Sequence, residues 1–188
     1  MEYVSPIKDV ELINKIKQLL KQESPRDYLL FVFGINTGIR ICDLLKLKVN
    51  DVWDGQTFKE FLFIPEEGNH KEKTLYLNNN VREALKDYIL SFSLSSNDFL
   101  FKSKNYNKPI TRQQAYRIIN KAARDVGIKD GIGTHTIRKT FGYHAYHKGV
   151  AISILQSIFG HSCPSETLRY LGIDKSCAKE PIKVDVNL

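Results

Sequence analysis

The chain has 188 residues, the length of a single domain, with 42% apolar and 26% charged residues, which excludes disorder along its whole length. Its 28 lysines and arginines exceed its 21 acidic residues, giving a formal net charge of +7 that favours a polyanionic partner such as nucleic acid. Three cysteines without a CxxC pair, no signal-peptide pattern and only short apolar runs disfavour a zinc knuckle, a secreted domain and a membrane partner, and they predict a cytoplasmic protein.

Apolar periodicity predicts three helices in the first quarter of the chain: an amphipathic one, a mostly apolar one and a short one. Asp9 and Ser24-Pro25 are typical helix starts, and Gly38 is a typical left-handed stop. The predicted ranges are 9–21, 24–36 and 40–46.

The middle of the chain predicts short strands over 49–53, 60–65 and 73–77, with a hairpin turn at 66–72 around Gly68-Asn69. Helices are then predicted with Asn79 and Thr134 as caps. Their ranges are 80–92, 111–126, 134–148, 151–159 and 164–171. The predicted fold class is mainly α with a small antiparallel β-sheet (α+β).

Five polar residues fall where they could carry chemistry: Arg40, His135, Arg138, His161 and Tyr170. Arginine forks match the non-bridging oxygens of a phosphodiester, histidines can donate to those oxygens or accept a proton, and a tyrosine can attack phosphorus. Each residue alone has an ordinary structural explanation, as a surface cation, a packed histidine or a buried aromatic. The prediction depends on their joint occurrence.

Three segments containing these residues resemble the sequence boxes of the tyrosine recombinases, the phage integrase family. They are Thr37-Gly38-Ile39-Arg40 through Leu47, His135-Thr136-Ile137-Arg138 through Phe141, and Phe159-Gly160-His161-Ser162 with Thr167-Leu168-Arg169-Tyr170. The boxes occur in the family's order and at its usual separations. The resemblance spans about residues 5 to 172 and implies the family's catalytic-domain fold.

The resemblance implies a role for each residue. Arg40 and Arg138 would clamp the scissile phosphate of double-stranded DNA, and His161 would donate to a phosphate oxygen. Tyr170 would form a 3′-phosphotyrosyl link and free a 5′-hydroxyl, with His135 as general base and later as acid. Because this link conserves bond energy, the family uses neither a cofactor nor a metal.

The family also uses a hairpin lysine that protonates the leaving oxygen. Its usual position falls near Gly68 or Asn69 here, so Lys71 is the predicted substitute. The alternative is that Lys71 and Lys73 only contact phosphates.

Asp43 matches a family position that supports the active-site arginine. Lys71, Lys73, Arg112 and Lys139 form the predicted DNA-contacting set.

Residues 1–174 are expected to form the catalytic domain, and 175–188 a tail that docks on a neighbouring protomer or frays. The N-terminal helical domain that most family members carry is expected to be absent. The resemblance implies a nucleoid-associated protein that is a monomer when free and a tetramer on DNA.

Three rival hypotheses stay open at this point. A type IB topoisomerase would use a similar tyrosine and cation cluster to relax supercoils without exchanging strands. A DNA-binding protein could keep the fold and lose catalysis. A metallohydrolase is disfavoured, because no carboxylate lies close in sequence to His135 or His161.

Overall fold

A computed structural model describes residues 4–65, 72–103, 107–129 and 131–173. Within these ranges the chain forms nine helices and one two-stranded antiparallel sheet, which confirms the predicted fold class. In chain order the elements are α1 (Val10–Glu23), α2 (Pro25–Thr37), α3 (Ile41–Lys46), α4 (Val49–Val52), β1 (Phe61–Ile64), β2 (Lys73–Tyr76), α5 (Asn79–Ser91), α6 (Arg112–Asp125), α7 (Thr134–His147), α8 (Ile152–Phe159) and α9 (Pro164–Leu171).

The sheet joins β1 and β2 with Phe61 opposite Tyr76 and Ile64 opposite Lys73. Side chains alternate between two faces along a strand, so Leu62 and Leu75 turn into the core. By the same alternation Lys73 lies on the face of Leu75, although it is charged.

The predicted strand over 49–53 is wrong, because Val49–Val52 forms the one-turn helix α4. Both valines are fully buried, and a spacing of three places them on the same side of a helical turn. A strand would have sent them to opposite faces. Asp51 further stabilises the turn by accepting a 2.7 Å hydrogen bond from the backbone N–H of Lys48.

Helix α2 is the centre of the fold and packs against α1, α5, α6 and α7. The run Leu29–Phe33 is buried all round, as its unbroken apolar sequence predicts. Ser24 caps its start as expected. The cap of α5, however, is Asn78 rather than the predicted Asn79, because the Asn78 side chain accepts from the backbone N–H of Val81 at 3.1 Å.

A second, smaller apolar cluster lies where α7, α8 and α9 meet, around Leu155, Phe159 and Leu171. The contact of these helices depends on Gly142 in α7. A Cβ atom there would come within 2.5 Å of side-chain atoms of both Leu171 and Phe159. This close approach brings the end of α8 and the last turn of α9, which carries Tyr170, beside α7.

Among the described residues, no helix combines the length and apolarity needed to cross a bilayer.

Candidate active site

Arg40 occupies the N-cap position of α3, directly after the turn that ends α2. That turn uses Gly38 in the left-handed conformation, with φ of 64° and ψ of 19°. Arg40 lines three adjoining clefts, the largest of about 590 Å³. The side chain therefore stands at the point where these clefts meet.

Arg138 lies on α7, is only 7% exposed and is anchored by backbone carbonyls. Its Nη1 donates to the carbonyl oxygen of Gly38, and its Nη2 donates to those of Phe159 at 3.1 Å and Ile158 at 3.3 Å. The guanidinium also stacks over the Phe159 ring, 4.7 Å from its centroid. Burial, aided by the charge of Arg40, lowers the pKa of Arg138 to about 10, so the side chain stays charged at neutral pH.

Lys73 extends from β2 to the end of α8, where its Nζ donates to the carbonyl oxygen of Ile158 at 2.7 Å. A Cβ on Gly160 would lie 3.5 Å from this Nζ and 3.7 Å from Nη2 of Arg40, so both cations flank the same stretch of backbone. Burial, and then the charges of Arg138 and Arg40, lower the pKa of Lys73 to about 8. Lys73 is thus a member of the cation cluster.

His161 follows Gly160, the left-handed residue that ends α8. Its Nδ1 lies 3.0 Å from Oγ1 of Thr167, and its ring packs against the rings of Phe159 and Tyr170. Burial lowers the pKa of His161, and the charges of Arg138, Arg40 and Lys73 add to this effect while Glu166 opposes it. His161 is therefore a neutral imidazole near pH 7.

His135 lies in the first turn of α7 and is exposed. It lines a small cleft of about 90 Å³ together with Arg40, Arg112 and Arg138. Partial burial of its ring lowers the pKa of His135, and Arg112 and Arg138 are the largest charge contributions in the same direction. A neutral imidazole among cations can accept a proton, as a general base must.

Tyr170 lies in the last turn of α9, with its ring against Phe159 and His161. Its hydroxyl oxygen is buried beside the Arg138 side chain, and this interaction falls outside standard hydrogen-bond geometry. Burial raises the pKa of Tyr170, although the charges of Arg138 and Arg40 act to lower it. The positive field expected from the sequence is present, but burial outweighs it and the phenol is neutral.

Arg40, Arg138, His161 and Tyr170 thus lie together, and His135 borders the same arginines. Asp43, the acidic residue predicted to support the arginine, lies beside this group. Asp43 lines a cleft with Arg40 and Lys73, and its charge partly opposes the lowering of the pKa of Lys73 and of Arg138. No ion pair joins Asp43 to an arginine among the described contacts.

The residues predicted to contact DNA differ in their exposure to solvent. Arg112 is exposed at the start of α6. Lys139 is only 6% exposed, with its Nζ 2.8 Å from the carbonyl oxygen of Val4 and 5.0 Å from the centroid of the Tyr170 ring. Its predicted contact with a phosphate stays a prediction. Lys71 lies outside the described residues, so its predicted role stays a prediction.

The sequence pattern does not predict two features of the site. The carbonyls of Gly38, Ile158 and Phe159 anchor Arg138, and backbone groups leave no signal in a residue pattern. For Lys73 the sequence predicts only a contact with DNA. Its alternation with the buried Leu75 and Leu77 was the available sign that it points toward the core side of the hairpin.

Comparison with known proteins is consistent with this geometry. Residues 7–176 match the model of the phage integrase family. A probable integrase/recombinase from Bacillus subtilis, YoeC, is 42% identical over 98% of this chain and 98% of its own length. A tyrosine recombinase from Pseudothermotoga lettingae is 34% identical over 89% of this chain, and the match spans 57% of that relative.

Solved structures share the fold. The crystal structure of XerA recombinase superposes with a TM-score of 0.75 at 23% identity, covering 94% of this chain and 62% of that one. A pre-cleavage complex of XerH recombinase with its difH substrate gives a TM-score of 0.70 at 20% identity, covering 94% and 52%.

Proposed function

The chain belongs to the phage integrase family, and we propose that it breaks and rejoins double-stranded DNA at specific sites through a covalent bond to Tyr170. The observation that carries this proposal is the buried Tyr170 hydroxyl, which interacts with the Arg138 guanidinium and lies within the field of Arg138 and Arg40. Of the nine tyrosines, this one combines the third sequence box with two arginines and a neutral histidine beside it.

The arginines and His161 bind the scissile phosphate. Arg138 has five N–H donors, and its three hydrogen bonds to carbonyls leave at least two for phosphate oxygens. Arg40 approaches the same place from the start of α3. Because these donors are held in place before reaction, they stabilise the charge that develops on the non-bridging oxygens.

The phenol of Tyr170 must lose its proton as its oxygen bonds to phosphorus, since burial keeps its pKa raised. His135 accepts that proton as general base. The neutral state of His135, which the surrounding arginines favour, suits it to this step. A 3′-phosphotyrosyl bond forms and the bond to the 5′-oxygen breaks.

The leaving 5′-oxygen needs a proton, and we assign this step to Lys73. An ammonium with a pKa of about 8 is a stronger acid than an ordinary lysine and is still protonated at neutral pH. When a 5′-hydroxyl attacks the phosphotyrosyl bond, the same proton transfers run in the opposite direction and the tyrosine is released. The chain rejoins DNA in this way, and we propose that strand exchange between two sites takes place in an oligomer on DNA.

Covalent capture tests the proposal. A pool of nicked duplexes with randomised sequence on both sides of the nick is incubated with the chain, and protein–DNA adducts that survive denaturation are isolated and sequenced. Cleavage near a nick releases a short fragment, so the adduct accumulates. We expect adducts with one sequence preference, and a peptide map that places the DNA on Tyr170.

Tyr170→Phe is the matched control. Removing a buried hydroxyl that makes no hydrogen bond of standard geometry should leave the fold intact, so its loss of adduct would report chemistry rather than stability. Adducts that persist in Tyr170→Phe would overturn the assignment. Relaxation of a supercoiled plasmid without exchange between two captured sites would instead favour the topoisomerase hypothesis.

A further inference from the structure

Thr167 is a buried polar residue to which the reaction above assigns no part. It lies on α9, is fully shielded from solvent, and its Oγ1 is 3.0 Å from Nδ1 of His161. A threonine within a helix usually donates its hydroxyl proton to the carbonyl four residues earlier, here that of Cys163. Among the described residues, however, the only hydrogen-bond partner of this hydroxyl is His161.

The backbone on either side fixes where the His161 ring can go. The N–H of His161 donates to the carbonyl oxygen of Gln156 at 3.1 Å, and Nε2 of Gln156 donates back to the His161 carbonyl at 3.3 Å. The ring is then confined between Phe159 and Tyr170. These contacts orient the imidazole plane, but none of them decides which ring nitrogen carries the proton.

The choice matters because a neutral imidazole has a single N–H. With the proton on Nε2, that nitrogen can donate to a phosphate oxygen in the cleft that His161 lines with Arg40 and Lys73. With the proton on Nδ1, the other nitrogen would present a lone pair to the phosphate and repel it. Only one tautomer supports the reaction.

The buried hydroxyl decides between the two. If Nδ1 held the proton, it would donate to Oγ1 and the hydroxyl proton would have no acceptor among the described residues, which carries the cost of an unpaired buried donor. If Nδ1 is unprotonated, the hydroxyl donates to it and both groups are satisfied. The second arrangement is favoured.

We propose that Thr167 is a positioning residue whose hydroxyl donates to Nδ1 of His161 and keeps the proton of the neutral imidazole on Nε2, ready for a phosphate oxygen. The effect on catalysis rests on the proposed function, whereas the tautomer is a property of the folded chain alone. Thr167→Val removes the hydroxyl and keeps the buried shape, and Thr167→Ser keeps the hydroxyl.

Nuclear magnetic resonance of the chain labelled with ¹⁵N-histidine gives the first test, because the two ring nitrogens differ in chemical shift with protonation. We expect His161 in the unsubstituted chain and in Thr167→Ser to carry its proton on Nε2, and Thr167→Val to show a mixture of tautomers. A proton on Nδ1 in the unsubstituted chain, or an unchanged tautomer in Thr167→Val, would overturn the proposal.

The rate of adduct formation on the captured duplex gives the second test. Thr167→Val should slow the covalent step about tenfold, the effect of one weakened hydrogen bond to a charged oxygen, with unchanged KM. Thr167→Ser should restore the rate. In a His161→Ala background, Thr167→Val should add nothing, since Thr167 acts only through that ring.

An equal loss in Thr167→Ser, or a further loss in the His161→Ala background, would show that Thr167 only packs α9, and the proposal would fail. If the unsubstituted chain forms no adduct with any duplex, the proposed function fails, and the tautomer measurement still decides the role of Thr167.

Discussion

Lys73 on β2 and Ile158 at the end of α8 are joined by a 2.7 Å hydrogen bond from the lysine ammonium to the isoleucine carbonyl. The same carbonyl accepts from Arg138 at 3.3 Å. The partial negative charge at the C-terminal end of α8 therefore holds two cations of the site side by side. This contact ties the hairpin to the helical part of the site.

The first prediction concerns the proton donor. Lys73→Met should slow adduct formation by roughly 100-fold, the lower range for a general acid, and Lys71→Met serves as the matched control. Because the lysine must be protonated and its pKa is about 8, the rate of the unsubstituted chain should fall above that pH. In Lys73→Arg the fall should move to higher pH, since the guanidinium keeps its proton.

A duplex with sulfur in place of the leaving 5′-oxygen refines that measurement. A thiolate leaves without a proton, so this substrate should restore the rate of Lys73→Met. Full activity in Lys73→Met beside a slow Lys71→Met would give the role to Lys71, as the sequence predicted.

The second prediction separates the two arginines. Both Arg40→Gln and Arg138→Gln should abolish measurable cleavage, since each removes charge from the phosphate site. Arg138→Gln should also lower the free energy of unfolding by about 1–3 kcal/mol, because the buried carbonyls of Gly38, Ile158 and Phe159 lose their donor.

Arg40 makes no such anchoring bonds among the described contacts, so Arg40→Gln should unfold near the urea midpoint of the unsubstituted chain. Equal loss of stability in both variants would contradict the anchoring role of Arg138.

The third prediction tests the turn that presents Arg40. Gly38→Ala forces a side chain into φ of 64° and brings its Cβ within 2.4 Å of the Phe141 ring. The backbone strain alone costs about 1–2 kcal/mol, and the clash adds to it. Urea denaturation should show this loss, whereas Gly55→Ala, with φ of 98° and open space around it, should cost only the strain.

The fourth prediction distinguishes the buried lysine from the exposed arginine. Arg112→Gln should reduce the slope of log K against log salt for a non-specific duplex by about one. Lys139→Gln should leave that slope unchanged, because Lys139 is buried against Val4 and the Tyr170 ring. An equal reduction in slope in Lys139→Gln would support the DNA contact that the sequence predicts for Lys139.

The sequence by itself determined the fold class, ten of the eleven elements in the described part of the chain, and five of the residues that line the site. Periodic apolar positions, capping side chains such as Ser24 and glycines such as Gly38 act over a few residues, so a linear pattern contains them. The order of Arg40, His135, Arg138, His161 and Tyr170 was likewise readable from the three boxes. The exception, Val49–Val52, is too short for a period to distinguish a turn of helix from a strand.

Only the tertiary structure decided the electrostatics of the site. Three properties depend on groups brought together from distant parts of the chain. They are the packing of Lys139 against the Tyr170 ring, the position of Lys73 beside Arg40 and Arg138, and the direction in which the pKa of Tyr170 shifts. Burial and charge–charge distance are properties of the packed molecule, and they fall off over a few ångströms of space rather than over positions in sequence.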